Sequence, residues 1–129
     1  MSGAMGSTRS RGAQGEEKAV SFLLEKGWKV LARNFRSRAG EIDIIAEKGE
    51  EVAFVEVKSW AVLPQGELEH AIDARKQQRI ARTARYYLSR QPRLADRHLR
   101  FDVVFLGRDA ADIRHIENAF SGEIDSWCG

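Results

Sequence analysis

The stretch "GEIDIIAEKGEEVAFVEVK", residues 40–58, constrains this chain more than any other. Two apolar runs flank "EKGEE", and they carry Asp43, Glu56 and Lys58 within strands that otherwise read as buried. Charge is expensive in such strands unless it is paired or used. A two-residue loop at Gly49-Glu50 suits a turn that needs Gly at its first central position. In that register facing residues have numbers that sum to 99, so Ile45 meets Phe54, Asp43 meets Glu56 and Glu41 meets Lys58. Directly opposed side chains in an antiparallel pair have Cβ atoms about 5 Å apart. Two carboxylates there repel, and either one takes a proton or a cation sits between them.

Mg²⁺ answers that need, because it takes oxygen ligands and keeps several waters. Lys58 lies two residues beyond Glu56 and projects from the same face. Metal ligands beside an ammonium suit phosphodiester hydrolysis, with water activated by the metal and charge stabilised by the lysine. The competing reading is a surface hairpin whose wet face is Glu41, Asp43, Glu56 and Lys58. Phe54 argues against it, since it shares a face with Glu56 and Lys58. The reverse face would hold Ile42, Ile44, Val55 and Val57, as in a sheet covered on both sides.

The rest of the chain supplies those covers. "AQGEEKAVSFLLEKG" sets Ala19, Val20, Leu23 and Leu24 at helical spacing, with Gly27 as its stop. Glu16 falls at the edge of the inward face near the helix start. "WKVLARNF" alternates as a strand. Strands are expected over Glu41 to Ala46 and Val52 to Lys58. "SWAVLPQGELEHAI" is irregular and reads as a mobile loop, marked by Pro64 and Gly66. Asp73 caps a helix over "ARKQQRIARTARYYLSR", whose apolar face is Ile80, Ala84, Tyr87 and Leu88. Pro92 ends it. "HLRFDVVFLG" is apolar enough for a central strand, and "DIRHIENAF" is a last strand with a short tail. Helix, three strands, helix, strand, strand makes a small α/β domain: a central mixed β-sheet flanked by helices.

With 129 residues the chain is one domain, long enough for a real core. The domain is expected over residues 12–120, with 1–11 a cloning remnant or disordered N-terminus and 121–129 a C-terminal tail. Cys128 is the single cysteine, which excludes a disulfide framework and a thiolate cluster. No apolar run reaches the length of a membrane span, and the N-terminus shows no signal-peptide core, so cytoplasm is the expected compartment.

Net charge is only +2, so its distribution matters more than its sum. Arg75, Arg79, Arg82 and Arg90 gather on the outer face of the second helix, with Lys76 at the border. Arg85, Arg93, Arg97 and Arg100 add to the region. Such a stripe is either a solvated face or a phosphate contact. His70, His98 and His115 lack metal-ligand spacing and read as structural or exposed. Asp102 lies inside an apolar strand and is expected in a structural salt bridge with an arginine. Trp28 and Tyr87 read as core, and Trp60 is the best candidate for stacking on a base.

These motifs carry a resemblance. "GEIDIIA" followed by "VAFVEVK" looks like the PD-(D/E)XK motif of the restriction-endonuclease-like superfamily. More closely, the chain resembles the YraN-like family of small bacterial proteins. The matching stretches, in family order, are "GEEKAVSFLLEKGWKVLARNFR", "GEIDIIA", "FVEVKSW", "AIDARKQQRI", "RFDVV" and "HIENAF". That family is similar to archaeal Holliday-junction resolvases. The resemblance implies a single restriction-endonuclease-like domain with Glu16, Asp43, Glu56 and Lys58 as its active-site set. Asp43 and Glu56 would bind Mg²⁺ (or Mn²⁺), Glu16 would assist, and Lys58 would be the catalytic lysine. Ile42 stands where the superfamily's motif often has Pro. Trp60 stands where the family commonly has a basic residue, which bears on DNA contacts near the site. The expected activity is DNA hydrolysis, on branched or otherwise structured substrate; the alternative is a nucleic-acid-binding module of the same fold without catalysis. Lys76, Arg75, Arg79, Arg82 and Trp60 are the expected DNA contacts, and a homodimer would supply the two sites that cutting two strands requires.

Overall fold

The computed structural model describes residues 7–59, 72–109 and 112–121. Its elements are α1 (Ser7–Glu25), β1 (Lys29–Arg36), β2 (Glu41–Lys48), β3 (Glu51–Ser59), α2 (Ala74–Ser89), a 3-10 turn at Pro92–Leu94, β4 (His98–Leu106) and β5 (Ile113–Phe120). The five strands form one sheet in chain order. β3 and β4 are parallel and every other neighbouring pair is antiparallel. A parallel pair cannot be joined by a tight turn, and the crossover between β3 and β4 contains α2. The expected α/β domain with a mixed sheet is what forms. α1 starts at Ser7, ahead of the expected boundary at residue 12; no proline between residues 7 and 25 interrupts the helical hydrogen bonding. The expected loop at "SWAVLPQGELEHAI" lies largely outside the described residues, with Trp60 and His70.

Helices cover both faces. β3 alternates between them: Val52 and Phe54 join the cluster under α2, with Ile80, Ala84 and Tyr87. Ala53 and Val55 join the cluster under α1, with Ala19, Leu23 and Trp28. Ile42 departs from its expected place. It packs on the α2 side, while Ile44 two residues on packs on the α1 side. The regular alternation of β2 therefore ends at the point where its regular pairing with β3 also ends.

The turns follow from the residues that make them. Gly27 takes φ 94°, and Trp28 N–H then reaches back to the Leu23 carbonyl at 3.0 Å, closing α1. Gly49 takes φ 59° in the two-residue turn between β2 and β3. The register runs from Lys48–Glu51 through Ile45–Phe54 to Ile44–Val55. There it stops. Asp43 is not paired across from Glu56, nor Glu41 from Lys58, as strict arithmetic required; Glu41 instead faces Arg36 on β1.

Asp102 ties the far side of the sheet. Its fully buried carboxylate accepts from Arg100 and from His115 Nε2, each at 2.7 Å, and from the Asn118 N–H at 2.9 Å. Arg100 continues to Glu51 at 2.6 Å and lies over the Trp28 ring, 5.0 Å from its centre. The expected structural salt bridge, the buried Trp28 and the structural His115 are all present.

Candidate active site

The site lies where β2 and β3 part. Beyond Ile44 and Val55 the ladder gives way to a side chain: Asp43 Oδ2 accepts the Val57 N–H at 2.8 Å. A carboxylate thus does for the strand what a neighbouring carbonyl would otherwise do. It is held in a fixed pose beside Glu56, whose own side chain is only 8% exposed.

α2 closes the site from one side. Asp73 at its N-cap accepts the Lys76 N–H at 2.8 Å, which starts the helix and aims its first turn at β3. Lys76 Nζ then meets Glu56 Oε2 at 2.6 Å. Lys58 Nζ stands 3.8 Å from the same oxygen. From the other side comes the β1–β2 turn. Gly40 packs there so closely on α2 that an added Cβ would sit 3.3 Å from the Arg79 Cβ. Between these walls is a cavity of about 120 Å³, lined by Glu41, Asp43, Glu56, Lys76 and Arg79, with Gly40 and Ile80.

Electrostatics mark Asp43 out. Burial first, then repulsion by Glu56, lift its carboxyl to about 7; the Val57 N–H pulls the other way, and Glu16 and Glu41 add to the rise. Lys58 is held below the ordinary lysine range by burial, then by the neighbouring Lys76 charge. For Lys76 desolvation acts downward, but the hydrogen bond and charge of Glu56 outweigh it and the net shift is upward. Carboxylates crowd enough to resist ionising together, and one ammonium is already engaged.

The sequence-derived residues divide accordingly. Asp43, Glu56, Lys58 and Lys76 come together. Glu16 is near enough for Asp43 to feel its charge, yet its carboxylate accepts from Asn34 Nδ2 at 2.9 Å and lies 3.8 Å from Arg33. α1 does pack over the sheet, but on the face opposite α2. Arg79 lines the cavity, while Arg75 and Arg82 are exposed further out on α2. Trp60 lies outside the described residues. The wider basic region is smaller than its sequence suggests, because Arg93 and Arg97 converge on Glu47 at 3.2 and 2.6 Å and Arg100 is bound to Asp102. Glu41 was read only as a member of a wet hairpin face, yet it lines the cavity. Its position two residues before Asp43 on one strand was the available signal.

Asp43, Glu56 and Glu41 are the oxygen donors that could face a cation in this cavity. Their chemistry fits a hard divalent ion, and beyond the effect of burial, Glu56, Glu16 and Glu41 surround Asp43 with negative charge. Among the described residues no group of three or more His, Cys, Asp or Glu side chains is already arranged to hold a metal. Lys76 occupies Glu56 instead.

A five-stranded mixed sheet between two helices is the small α/β domain that the resemblance implied. The chain belongs to the YraN-like family, described as "Uncharacterised protein family UPF0102", whose model matches residues 15–106. It is 42% identical over 110 residues to a UPF0102 protein of Persephonella marina, covering 85% of this chain and 92% of that one. It is 44% identical over 116 residues to one of Methylorubrum extorquens, covering 90% and 88%. With one from Caldicellulosiruptor saccharolyticus it shares 43% identity over 116 residues, covering 87% and 98%.

Proposed function

We propose that the protein is a metal-dependent endonuclease that hydrolyses DNA phosphodiester bonds, acting on branched or structured DNA. The observation that carries this reading is the Asp43 carboxyl, buried beside Glu56 and lifted to about 7 in a cavity that α2 lines with Lys76 and Arg79. The Val57 N–H needs only one of its oxygens, and a second acid crowded beside it in a cavity is the arrangement expected of a site that takes a ligand. Asp43 and Glu56 would hold Mg²⁺ or Mn²⁺, with Glu41 within the same cavity and Glu16 contributing charge at longer range. When bound, the ion supplies Lewis acidity toward water and phosphate oxygen.

The chain's own groups do the remainder. The Val57 N–H orients Asp43. Lys58, 3.8 Å from Glu56, places an ammonium beside the carboxylate pair, where it can stabilise charge building on a phosphate or position the attacking water. Lys76 and Arg79 line the cavity as cations for the phosphates flanking the cut. Two such sites would be needed to cut two strands, which a homodimer provides.

The test is cleavage of single-stranded, duplex, flap and four-way-junction DNA with Mg²⁺, with Mn²⁺ and with EDTA. Asp43→Ala and Lys58→Ala are run beside the parent protein. Metal-dependent cutting lost in both supports the nuclease. The Lys76–Glu56 contact favours a second reading, a nucleic-acid-binding module whose acid site is neutralised by its own lysine. Salt-sensitive DNA binding with no cutting on any substrate, by folded protein, would favour that module.

A further inference from the structure

One flank of α2 carries a row that the acid site does not use in full. Lys76, Arg79, Thr83, Tyr86 and Arg90 follow one another at intervals of three, four, three and four, so they share one side of the helix. The row begins at the cavity, where Lys76 touches Glu56 and Arg79 lines the wall. It then follows the edge where α2 meets β1 and its turn. Thr83 meets Ser37, with Oγ atoms 3.2 Å apart. Tyr86 stacks on Phe35 with ring centres 6.0 Å apart and planes 29° from parallel. Arg90 lies over Tyr86, 5.7 Å from the ring centre. From Lys76 to Arg90 the row is about 21 Å long at the rise of an α-helix.

Two observations separate this flank from a merely solvated face. The first is charge: α2 contains Arg75, Lys76, Arg79, Arg82 and Arg85 and no acid. Charge of one sign with no acid to pair it along the helix favours a polyanion over water alone. The second is Tyr86. Its neighbour Tyr87 fills the core at 7% exposure, but Tyr86 is 45% exposed. Its ring is nevertheless held, because Phe35 beneath it is packed edge-on against Tyr87 with ring centres 5.0 Å apart. A held, half-exposed aromatic ring among cations has the make-up of a platform for a base.

We propose that this flank holds an unpaired DNA strand leading into the acid site, with one base stacked on Tyr86 and the backbone following Arg79 toward Lys76. A base within a duplex is already stacked on both sides, so the platform selects a substrate with a single-stranded arm beside the cut. Arg90, which lies over Tyr86 in the free protein, swings aside as the base takes the ring, and its guanidinium then stacks on the outer face of that base as it does on the tyrosine. The inference rests on the reading of the site as one that acts on DNA, and it names the kind of DNA.

The experiment measures binding in EDTA, with no cleavage required. Fluorescence anisotropy compares a forked duplex bearing a single-stranded arm with a blunt duplex, for the parent protein, Tyr86→Ala and Tyr86→Trp. A series of forks carries 2-aminopurine at successive arm positions. Tyr86→Ala should weaken fork binding by about tenfold, and blunt-duplex binding by less than about twofold. Tyr86→Trp should retain the parent affinity, and one 2-aminopurine position should be quenched by the parent and by Tyr86→Trp only. Equal losses on fork and duplex, no loss at all, or no Tyr86-dependent quenching would overturn the platform. Circular dichroism of each variant confirms the fold, and the exposure of Tyr86 makes its substitution mild. If forks bind through Tyr86 but Mg²⁺ elicits no cutting, the platform stands and the nuclease reading falls. Cutting that ignores Tyr86 does the reverse.

Discussion

Asp43 is placed at a cost to the free protein, and that cost can be measured. Its folded-state carboxyl is raised from 3.8 to about 7 by burial and then by Glu56. The folded state therefore binds the proton more tightly than the unfolded chain, and between these two values stability falls as pH rises. The stabilisation of the protonated form is complete below about 4 and gone above about 7. Asp43→Asn removes the charge, while the amide oxygen can still accept from Val57 N–H. In EDTA it should unfold at higher temperature than the parent at pH 8, by an amount on the order of 2 kcal/mol. The gap should close toward pH 4, and Mg²⁺ should shrink it at pH 8 by stabilising the parent alone. A pH-independent difference, seen by scanning fluorimetry, would mean that no charge is stored there. Lys76 makes the complementary case. It sits on Glu56 at 2.6 Å, so a cation approaching Glu56 competes with it. Lys76→Met should raise Mn²⁺ affinity by roughly threefold to tenfold, each factor of ten being about 1.4 kcal/mol, even as cleavage declines. Calorimetric titration reads the affinity directly, and an unchanged or weaker affinity would rule the competition out.

Elements were legible in the sequence wherever a local rule fixed them. Gly27 and Gly49 have the positive φ that their turns require, and five consecutive pairs between β2 and β3 follow the expected register. The same register failed at Asp43 because hydrogen bonding, not periodicity, ends the ladder: the carboxylate takes the Val57 N–H. Ile42 and Glu41 were misplaced for the same reason, since both lie beyond that break. Glu16 was legible as an acid at a helix edge, but its turn toward Asn34 depends on β1, which no spacing within α1 encodes. Arg93 and Arg97 looked like surface charge because Glu47, far away in sequence, is what holds them. For α2 the N-cap was legible and has a consequence for the site. Asp73 fixes the first turn through Lys76 N–H. Asp73→Ala should cost about 1 kcal/mol of stability. It should also loosen the Lys76–Glu56 contact, so that its cleavage defect exceeds that of an equally destabilising core change away from the cavity, such as Ile45→Val. Equal defects at matched stability would leave the cap with a folding role only.

At the scale of the whole molecule, the two sides of the sheet carry charge for different ends. On the β2–β3 side acids are crowded and poorly compensated; on the β4–β5 side Asp102 has Arg100, His115 and the Asn118 N–H around one buried carboxylate. Desolvation acts to raise the Asp102 carboxyl, but His115, Arg100 and the Asn118 N–H together outweigh it, and the net shift is downward. A lowered folded-state value means that this network contributes stability above the ordinary aspartate range, and loses it as pH falls through the folded value. Breaking it should be severe. Asp102→Ala leaves Arg100, which is 14% exposed, to Glu51 and Glu117 alone, and removes the acceptor for the Asn118 N–H and for His115, whose Nδ1 already lacks a partner among the described residues. A loss of about 3–5 kcal/mol is expected at pH 7. Urea unfolding of Asp102→Ala and the parent should converge as pH drops below the parent's folded Asp102 value, where the parent too lacks the carboxylate. Because Arg100 also reaches Glu51 on β3, at 2.6 Å, the network spans three strands. Its loss should therefore lower the single global transition rather than free β5 alone. An early separate transition for Asp102→Ala would show instead that the last strand folds as an independent unit, and that the acid site does not depend on it.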